Sequence, residues 1–327
     1  MNLRRRRKVG IVCALAAVLV AGIFLFGCTA GGGPRAEEGA PAGREGYPLT
    51  IVDDMGREVT LKARPDRLVS LSPGNTEILF ALGLGDKVVG VDDYSDYPPE
   101  AVEVPKVGGF SNPNVEKIMA LEPDLVLATN MHEQAVRRLE EVGIPVAVVS
   151  PKSVEGVLGS IGWISKAAAA EEEAADLVDH LKERIQKVRS AVEGIPPEER
   201  PWVYYEVYYD PIMTAGPRTF IGQLIELAGG RNIAYDAQTD YPEFSAEAII
   251  ERNPEVIIFP QWHGSESLTV EQVKSRPGWQ QVRAVKNDRV FGVDADIMSR
   301  PGPRVVEALE LLARLIHPKL FREGTGN

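Results

Sequence analysis

Short apolar runs alternate with amphipathic segments from Arg67 to the end of the chain. A short apolar run bounded by turn residues is typical of a buried strand, whereas apolar residues spaced by three and four positions indicate a helix. Strands that alternate with helices predict parallel sheets covered by helices. The predicted strands are Leu68–Leu71, Val88–Val91, Leu125–Ala128, Val146–Val149, Trp202–Tyr208, Val256–Phe259 and Val290–Val293. The predicted helices are Thr76–Leu82, Val115–Leu121, Glu133–Val142, Thr219–Ala228, Ala246–Arg252 and Val305–Ile316.

Two segments depart from this alternation. Between Leu49 and Lys62, apolar and polar residues alternate around a central Gly, which predicts a small hairpin. From Glu171 onward, apolar residues recur at helical spacing, which predicts one helix of about 24 residues, or ~36 Å at 1.5 Å per residue. Its length and central position favour a strut between two lobes over a surface helix of the first lobe. We therefore predict an α/β protein of two doubly wound α/β lobes (49–170 and 195–327) bridged by one long interdomain α-helix (171–194).

An internal repeat supports two related lobes. The segments Glu116–Leu127 and Glu247–Ile258 each begin with Glu, continue with apolar residues at helical spacing, reach a Pro, and end in an apolar strand. The repeat places Glu116 and Glu247 at equivalent helix starts, one in each lobe. A Glu in a first helical turn is stabilised by the helix dipole, and this alone explains a single such residue. Two such carboxylates on one face would also suit docking onto a two-fold symmetric basic partner.

The beginning of the chain has the features of an export signal. Basic residues at positions 4–8 precede an apolar run that reaches Gly27, and Cys28 follows. The last residues of the run and the cysteine resemble a bacterial lipobox, in which the cysteine is lipidated and becomes the first residue. We therefore predict a signal peptide over 1–27 and a lipid-anchored flexible tether over 28–48, rich in Gly, Ala, Pro and Glu. The alternative is an uncleaved anchor helix, which also leaves the body outside the cytoplasm and held at the membrane.

Composition excludes several classes of protein. Of the 327 residues, 44% are hydrophobic and 25% are charged, which is typical of a folded globular chain. The formal net charge of −11 argues against a nucleic-acid partner, because such a partner requires Lys and Arg to neutralise its phosphates. Two cysteines cannot form a disulfide framework or a four-cysteine zinc site.

Several runs of the first lobe resemble a known family. These are Arg67–Glu77, Val89–Val91 and Tyr94–Pro98. Together they resemble the helical-backbone class of ABC-transporter substrate-binding proteins, and within it most closely the vitamin B12-binding proteins. The resemblance covers about Leu49 to Leu315 and implies two lobes joined by one rigid helix, with the ligand between them.

The same resemblance implies partners and site residues. In the class, a Glu on each lobe pairs with arginines of a permease dimer that works with ATPase subunits, and the matching positions are Glu116 and Glu247. The resemblance also implies cleft positions, and strand ends add others. We predict that the ligand-binding residues are Tyr94, Phe110, Tyr208, Tyr241, Trp262, Asp296 and Arg300. Thr129 stands where the B12-binding proteins have a Trp, so the pocket is not a copy of theirs.

Aromatic side chains suit a broad, flat ligand because rigid rings cover a large area at low entropic cost, while a few polar groups orient its rim. For Tyr208 and Trp262, core packing is an equal alternative. We expect a corrinoid first, a ferric siderophore second and haem third. Haem would require an axial ligand, for which Tyr94 or His263 would serve.

Signals for catalysis or a resident metal are weak. The histidines His132, His180, His263 and His317 are scattered, without metal-ligand spacing. His132 and His263 each follow a predicted strand, so either could approach a cleft ligand, but we expect a solvated loop residue at each position. Ser72 lies in a turn without a candidate base nearby in sequence, and no nucleophile elbow is present. We therefore predict a monomeric binding protein without cofactor or catalysis, and keep an extracellular hydrolase as the alternative from another class.

Overall fold

The computed structural model describes residues 46–262 and 267–321. The predicted signal peptide, Cys28, most of the predicted tether and His263 lie outside the described residues. Within those two ranges, no helix is both long enough and apolar enough to cross a bilayer.

The first lobe contains a parallel sheet preceded by a hairpin. Its elements are β1 (Leu49–Val52), β2 (Glu58–Leu61), β3 (Leu68–Ser70), α1 (Pro73–Ala81), β4 (Val88–Val91), β5 (Gly108–Gly109), β6 (Asn112–Pro113), α2 (Val115–Ala120), β7 (Leu125–Ala128), α3 (Glu133–Glu141) and β8 (Val146–Val148). The four strands of the main sheet are parallel and lie in the order β4-β3-β7-β8. The antiparallel pair β1-β2 turns at Gly56, whose φ of 75° favours glycine. The predicted hairpin is thus confirmed.

Two consecutive helices follow the first sheet. These are α4 (Val154–Ala168) and α5 (Glu171–Val192). The α5 helix matches the predicted amphipathic segment, and it packs against both α4 and the helix Val305–Ile316 of the second lobe. The α4 helix was not predicted, although its apolar residues have helical spacing and the Ser153 side chain caps its start.

The second lobe repeats the arrangement of the first. Its elements are β9 (Trp202–Tyr209), β10 (Ile212–Thr214), α6 (Phe220–Leu227), β11 (Arg231–Asn232), α7 (Ala246–Arg252), β12 (Val256–Gln261), α8 (Val270–Lys274), α9 (Arg283–Lys286), β13 (Val290–Asp294), α10 (Ala295–Ser299) and α11 (Val305–Ile316). Parallel strands lie in the order β11-β9-β12-β13, and β10 pairs antiparallel with the far end of β9. This order matches β4-β3-β7-β8, as expected for two related lobes.

The predicted sequence repeat corresponds to the same local structure in both lobes. In each lobe a short helix ends, one residue adopts a left-handed conformation immediately before Pro, and a buried strand follows. The left-handed residues are Glu122, with a φ of 45°, and Asn253, with a φ of 47°. The strands are β7 and β12, each of which lies inside its sheet.

One hydrophobic core extends through both lobes. The largest cluster of buried side chains includes Ile161 of α4, Leu181 and Ile185 of α5, Ile225 of α6 and Leu309 of α11. Burying each such side chain contributes about 1.5–3 kcal/mol. Two further clusters cover the opposite faces of the two sheets. Because the lobes share packed helices, we expect only a modest hinge motion between them.

Candidate functional site

A cavity of about 670 Å³ lies between the two lobes. The first lobe lines it with Ser72, Pro73, Gly74, Asn75, Tyr94, Asp96, Phe110, Ser111, Thr129, Asn130, Met131, Val149, Ser150 and Pro151, and the second with Trp262, Asp296, Ser299, Arg300 and Pro301. Most of these residues follow the carboxyl ends of parallel strands. In open α/β sheets the carboxyl edge is where ligands bind, because successive loops converge there.

The cavity surface is largely apolar and includes the aromatic side chains of Tyr94, Phe110 and Trp262. Tyr94 follows β4 and is 61% exposed, and Trp262 follows β12 and is 49% exposed. Met131 is also exposed, and Phe110 is partly buried. Large apolar side chains that remain exposed at a concave site indicate a surface available for a ligand.

His132 connects two parts of the cavity wall. The backbone N–H of Thr129 donates to His132 Nδ1 at 2.9 Å, so Nδ1 is the acceptor. His132 Nε2 lies 2.6 Å from the Phe110 carbonyl oxygen and therefore carries the proton that it donates. Burial lowers the pKa of His132, although the hydrogen bond to Phe110 opposes this shift. The expectation of a solvated loop histidine was wrong, because this side chain is buried and both nitrogens are engaged.

Arg300 is paired with carboxylates from both lobes. Its Nη1 lies 2.5 Å from Asp96 Oδ1 in the first lobe, and its Nη2 lies 2.9 Å from Asp296 Oδ1 in its own lobe. The guanidinium is nearly buried. Burial acts to raise the pKa of the Asp96 carboxyl, but the Arg300 guanidinium outweighs it and holds that pKa below its usual range.

A second ion pair joins the lobes beside the cavity. Arg304 Nη2 lies 2.6 Å from Glu77 Oε1, and Arg304 Nε lies 3.1 Å from Glu77 Oε2, so the pair is bidentate. The backbones also approach closely here: a Cβ on Gly74 would lie 2.8 Å from the Pro301 carbonyl oxygen. The contact therefore requires both a matched charge pair and the absence of a side chain at position 74.

The repeated carboxylates lie outside the cavity. Glu116 is exposed in the first turn of α2, after the Asn114 cap, and Arg138 Nη2 contacts its Oε1 at 2.7 Å. Glu247 is exposed in the first turn of α7, after the Ser245 cap. Backbone hydrogen bonding at the helix start lowers the pKa of both carboxyls, so both carry charge at neutral pH.

A family model described as periplasmic binding protein matches residues 68–297. This chain belongs to that family. Among its relatives, the uncharacterized ABC transporter substrate-binding lipoprotein YvrC of Bacillus subtilis is 39% identical over 94% of this chain and 98% of its own. A vitamin B12-binding protein of Vibrio cholerae is 32% identical over 77% of this chain and 90% of its own.

Solved structures of family members superpose on the described fold. The periplasmic heme-binding protein RhuT from Roseiflexus sp. RS-1, in apo form, matches with a TM-score of 0.70 and 28% identity, covering 78% of this chain and 99% of that one. The periplasmic vitamin B12-binding protein BtuF of Vibrio cholerae matches with a TM-score of 0.67 and 29% identity, covering 77% and 96%. The periplasmic binding protein described here is accordingly a substrate-binding protein of an ABC transporter. Its family consists of transport proteins rather than enzymes, which gives the hydrolase alternative no support.

Five of the predicted ligand-binding residues line the cavity of this periplasmic binding protein. They are Tyr94, Phe110, Trp262, Asp296 and Arg300. Tyr208 and Tyr241 are not among the lining residues and are each about half exposed. Ligand contact by any of the seven stays a prediction.

Other cavity residues were not predicted. Asp96 lies in the Tyr94–Pro98 run, and its pairing with Arg300 depends on the fold. Met131 carried a signal that could have been used, because an apolar residue directly after a buried strand lies at the carboxyl edge of the sheet. Among the described residues, no three His, Cys, Asp or Glu side chains form a group that could hold a metal ion.

Proposed function

We propose that this protein captures a corrinoid between its lobes and delivers it to an ABC permease. The observation that carries the proposal is the aromatic surface of the cavity, with Tyr94 from one lobe and Trp262 from the other. A corrinoid presents a broad apolar ring with amides around its rim, which suits rigid aromatic side chains and a few polar groups. The relatives named as vitamin B12-binding proteins support the same ligand class.

Isothermal titration calorimetry tests the ligand. The protein without residues 1–28 should bind cobalamin or cobinamide at one per monomer and release it chemically unchanged. A ferric siderophore panel and haem are the competing ligands. Corrinoid binding weaker than ~10 μM, or about −6.8 kcal/mol, together with tight binding of another chelate, would refute the corrinoid proposal.

Haem, which the sequence analysis places third, becomes the second candidate because of the likeness to a heme-binding structure. Both ring nitrogens of His132 are engaged, so Tyr94 and Met131 are the candidate axial ligands in the described part of the cavity, and we assign Tyr94. Absorption spectroscopy distinguishes the candidates, since a tyrosinate–iron bond changes the haem spectrum and is lost in Tyr94→Phe. A corrinoid site would tolerate Tyr94→Phe because the aromatic face is retained.

Glu116 and Glu247 are proposed to dock on arginines of the permease dimer. Both are exposed, both are charged, and each begins the equivalent helix of its lobe. Replacing both by Lys should abolish transport while ligand affinity stays near wild type. Because exposed charges act mainly on association rate, added salt should weaken docking of the unaltered protein. A collapse of ligand affinity in the double variant would assign the pair to the ligand site instead.

We also propose that the protein acts outside the cytoplasm, anchored through lipidated Cys28. The lipobox-like sequence and the relative named as a lipoprotein support this location. A multiply acylated cysteine holds a protein at a membrane stably, whereas one chain does not. Cys28→Ala should release the protein from membranes in a fractionation experiment. Continued retention would favour an uncleaved anchor segment.

A further inference from the structure

The charged groups in the described cavity wall are Asp96, Asp296 and Arg300. Two carboxylates therefore face one guanidinium. Both terminal nitrogens of Arg300 already contact these carboxylates, at 2.5 Å and 2.9 Å. Only 9% of the Arg300 side chain is exposed, so solvent offers it little additional contact.

An anionic ligand would gain little from this arrangement. To bind Arg300, a ligand carboxylate must displace Asp96 or Asp296 or approach both at close range. Displacement leaves a protein carboxylate without its partner, and the Asp296 side chain is only 18% exposed. A charge that loses its partner in a desolvated site is costly, and like charges placed side by side repel.

A ligand with neutral amide groups at its rim can instead form a favourable contact with Asp96. Asp96 lines the cavity and its side chain is 55% exposed, so it remains accessible to a ligand while Oδ1 holds Arg300. Carboxylate oxygens accept hydrogen bonds from amide N–H groups, and such charge-assisted bonds are stronger than neutral ones.

We propose that Asp96, by neutralising Arg300 across the lobes, makes this cavity selective for neutral or cationic metal chelates with amide donors at the rim, and rejects chelates with rim carboxylates. This inference rests on the proposed function, because it assumes that the cavity holds the transported chelate. It names Asp96 as a specificity-determining residue and Arg300 as the group that Asp96 withholds from anionic ligands.

Pairs of ligands that differ only in one charge at the rim test this inference. The probes are cyanocobalamin and its monocarboxylic acid derivatives, in which one rim amide is a carboxylate. By calorimetry at pH 7, the unaltered protein should bind the amide form at least about tenfold more tightly than the derivative whose acid meets Asp96. Asp96→Asn should reduce the ratio of the two affinities, amide form over acid form, because it frees one side of Arg300. Asp93→Asn is the control, since it removes the same charge from an exposed residue outside the cavity lining.

The outcomes separate this inference from the proposed function. Equal affinity of the unaltered protein for every amide–acid pair would overturn the inference and leave corrinoid binding intact. An equal reduction of the affinity ratio by Asp93→Asn and by Asp96→Asn would also overturn the inference. The overall charge of the protein, rather than Asp96, would then cause the preference for the amide form. If corrinoids do not bind, the proposed function fails, and haem and its dimethyl ester become the test pair. Tighter binding of the ester would then uphold the inference, and tighter binding of the acid would refute it. Binding of neither pair would overturn both.

Discussion

Replacing Arg304 with Met removes the cation that neutralises Glu77 where the two lobes meet. The pair is bidentate, and the side chain of Arg304 is 13% exposed and that of Glu77 is 2% exposed. Met retains an apolar stem of similar length, so the main change is the loss of the guanidinium. It also removes the contact of the guanidinium with the Tyr97 ring, whose centroid lies 4.0 Å from Arg304 Cζ.

The expected loss follows from the burial of the carboxylate that remains. Removing one partner of a buried ion pair costs about 3–5 kcal/mol, and the lower end applies because Arg304 is partly exposed. At about 2 °C per kcal/mol, the low end of the scale because this chain exceeds about 250 residues, Arg304→Met should lower Tm by about 6 °C. In Glu77→Gln/Arg304→Met part of this loss should return, because no unpaired charge remains.

The loss should depend on pH with a definite sign. Burial already raises the pKa of Glu77 above its ordinary 4.5, and Arg304 opposes that rise. Without Arg304 the pKa of Glu77 rises further. Above pH 4.5 the unfolded chain releases the Glu77 proton, whereas the folded variant keeps it up to its own, higher pKa. The variant therefore loses stability as pH rises from about 4.5 to the pKa of Glu77 in the folded variant. The difference in Tm from wild type should therefore widen from pH 5 to pH 8.

Differential scanning calorimetry at several pH values measures both effects. Arg137→Met is the matched control, because the Arg137–Glu133 pair is 67% and 75% exposed and screened by solvent. It should leave Tm nearly unchanged. If Arg304→Met melted within about 2 °C of wild type from pH 5 to pH 8, the argument from burial would be refuted.

Three further predictions follow from the cavity and its walls. Tyr94→Ala should weaken corrinoid binding by about 1–3 kcal/mol in calorimetry, whereas Tyr235→Ala, equally exposed but outside the cavity lining, should not. In urea unfolding, Gly74→Ala should lower the free energy of unfolding by about 1–3 kcal/mol, because the new methyl group forces the lobes apart. Gly159→Ala is the control, because its methyl group meets open space in α4, and it should raise the free energy of unfolding by about 0.5–1 kcal/mol. Because burial lowers the pKa of His132 below 6.5, wild-type stability should fall as pH drops through about 6.5, and His132→Gln should remove part of that slope.

Local sequence pattern predicted most of the secondary structure. The α5 helix begins at Glu171 as predicted and ends at Val192, two residues before the predicted bound, because its buried residues recur at helical spacing over several turns. The strands β4 and β7 also match their predicted bounds. The pattern in 154–168 was equally regular, so the omission of α4 was a failure to use an available signal.

The convergence of distant site residues was also predictable. Tyr94, Trp262 and Asp296 are far apart in sequence but each follows a strand of a parallel sheet. Parallel strands place their carboxyl ends at one edge, so residues that follow them meet there whatever their spacing along the chain. This topological rule accounts for Tyr94, Trp262 and Asp296 in the cavity, whereas Phe110 lies between β5 and β6, which pair antiparallel.

The state of each side chain in that cavity was decided by the tertiary structure alone. Asp96 and Arg300 are 204 residues apart, and nothing near either position in sequence indicates that they pair. The burial of His132 depends on Phe110, which a separate loop carries to it. Secondary structure follows from the periodicity of neighbouring residues, whereas charge pairing, protonation and exposure depend on which distant residues the fold brings within a few ångströms.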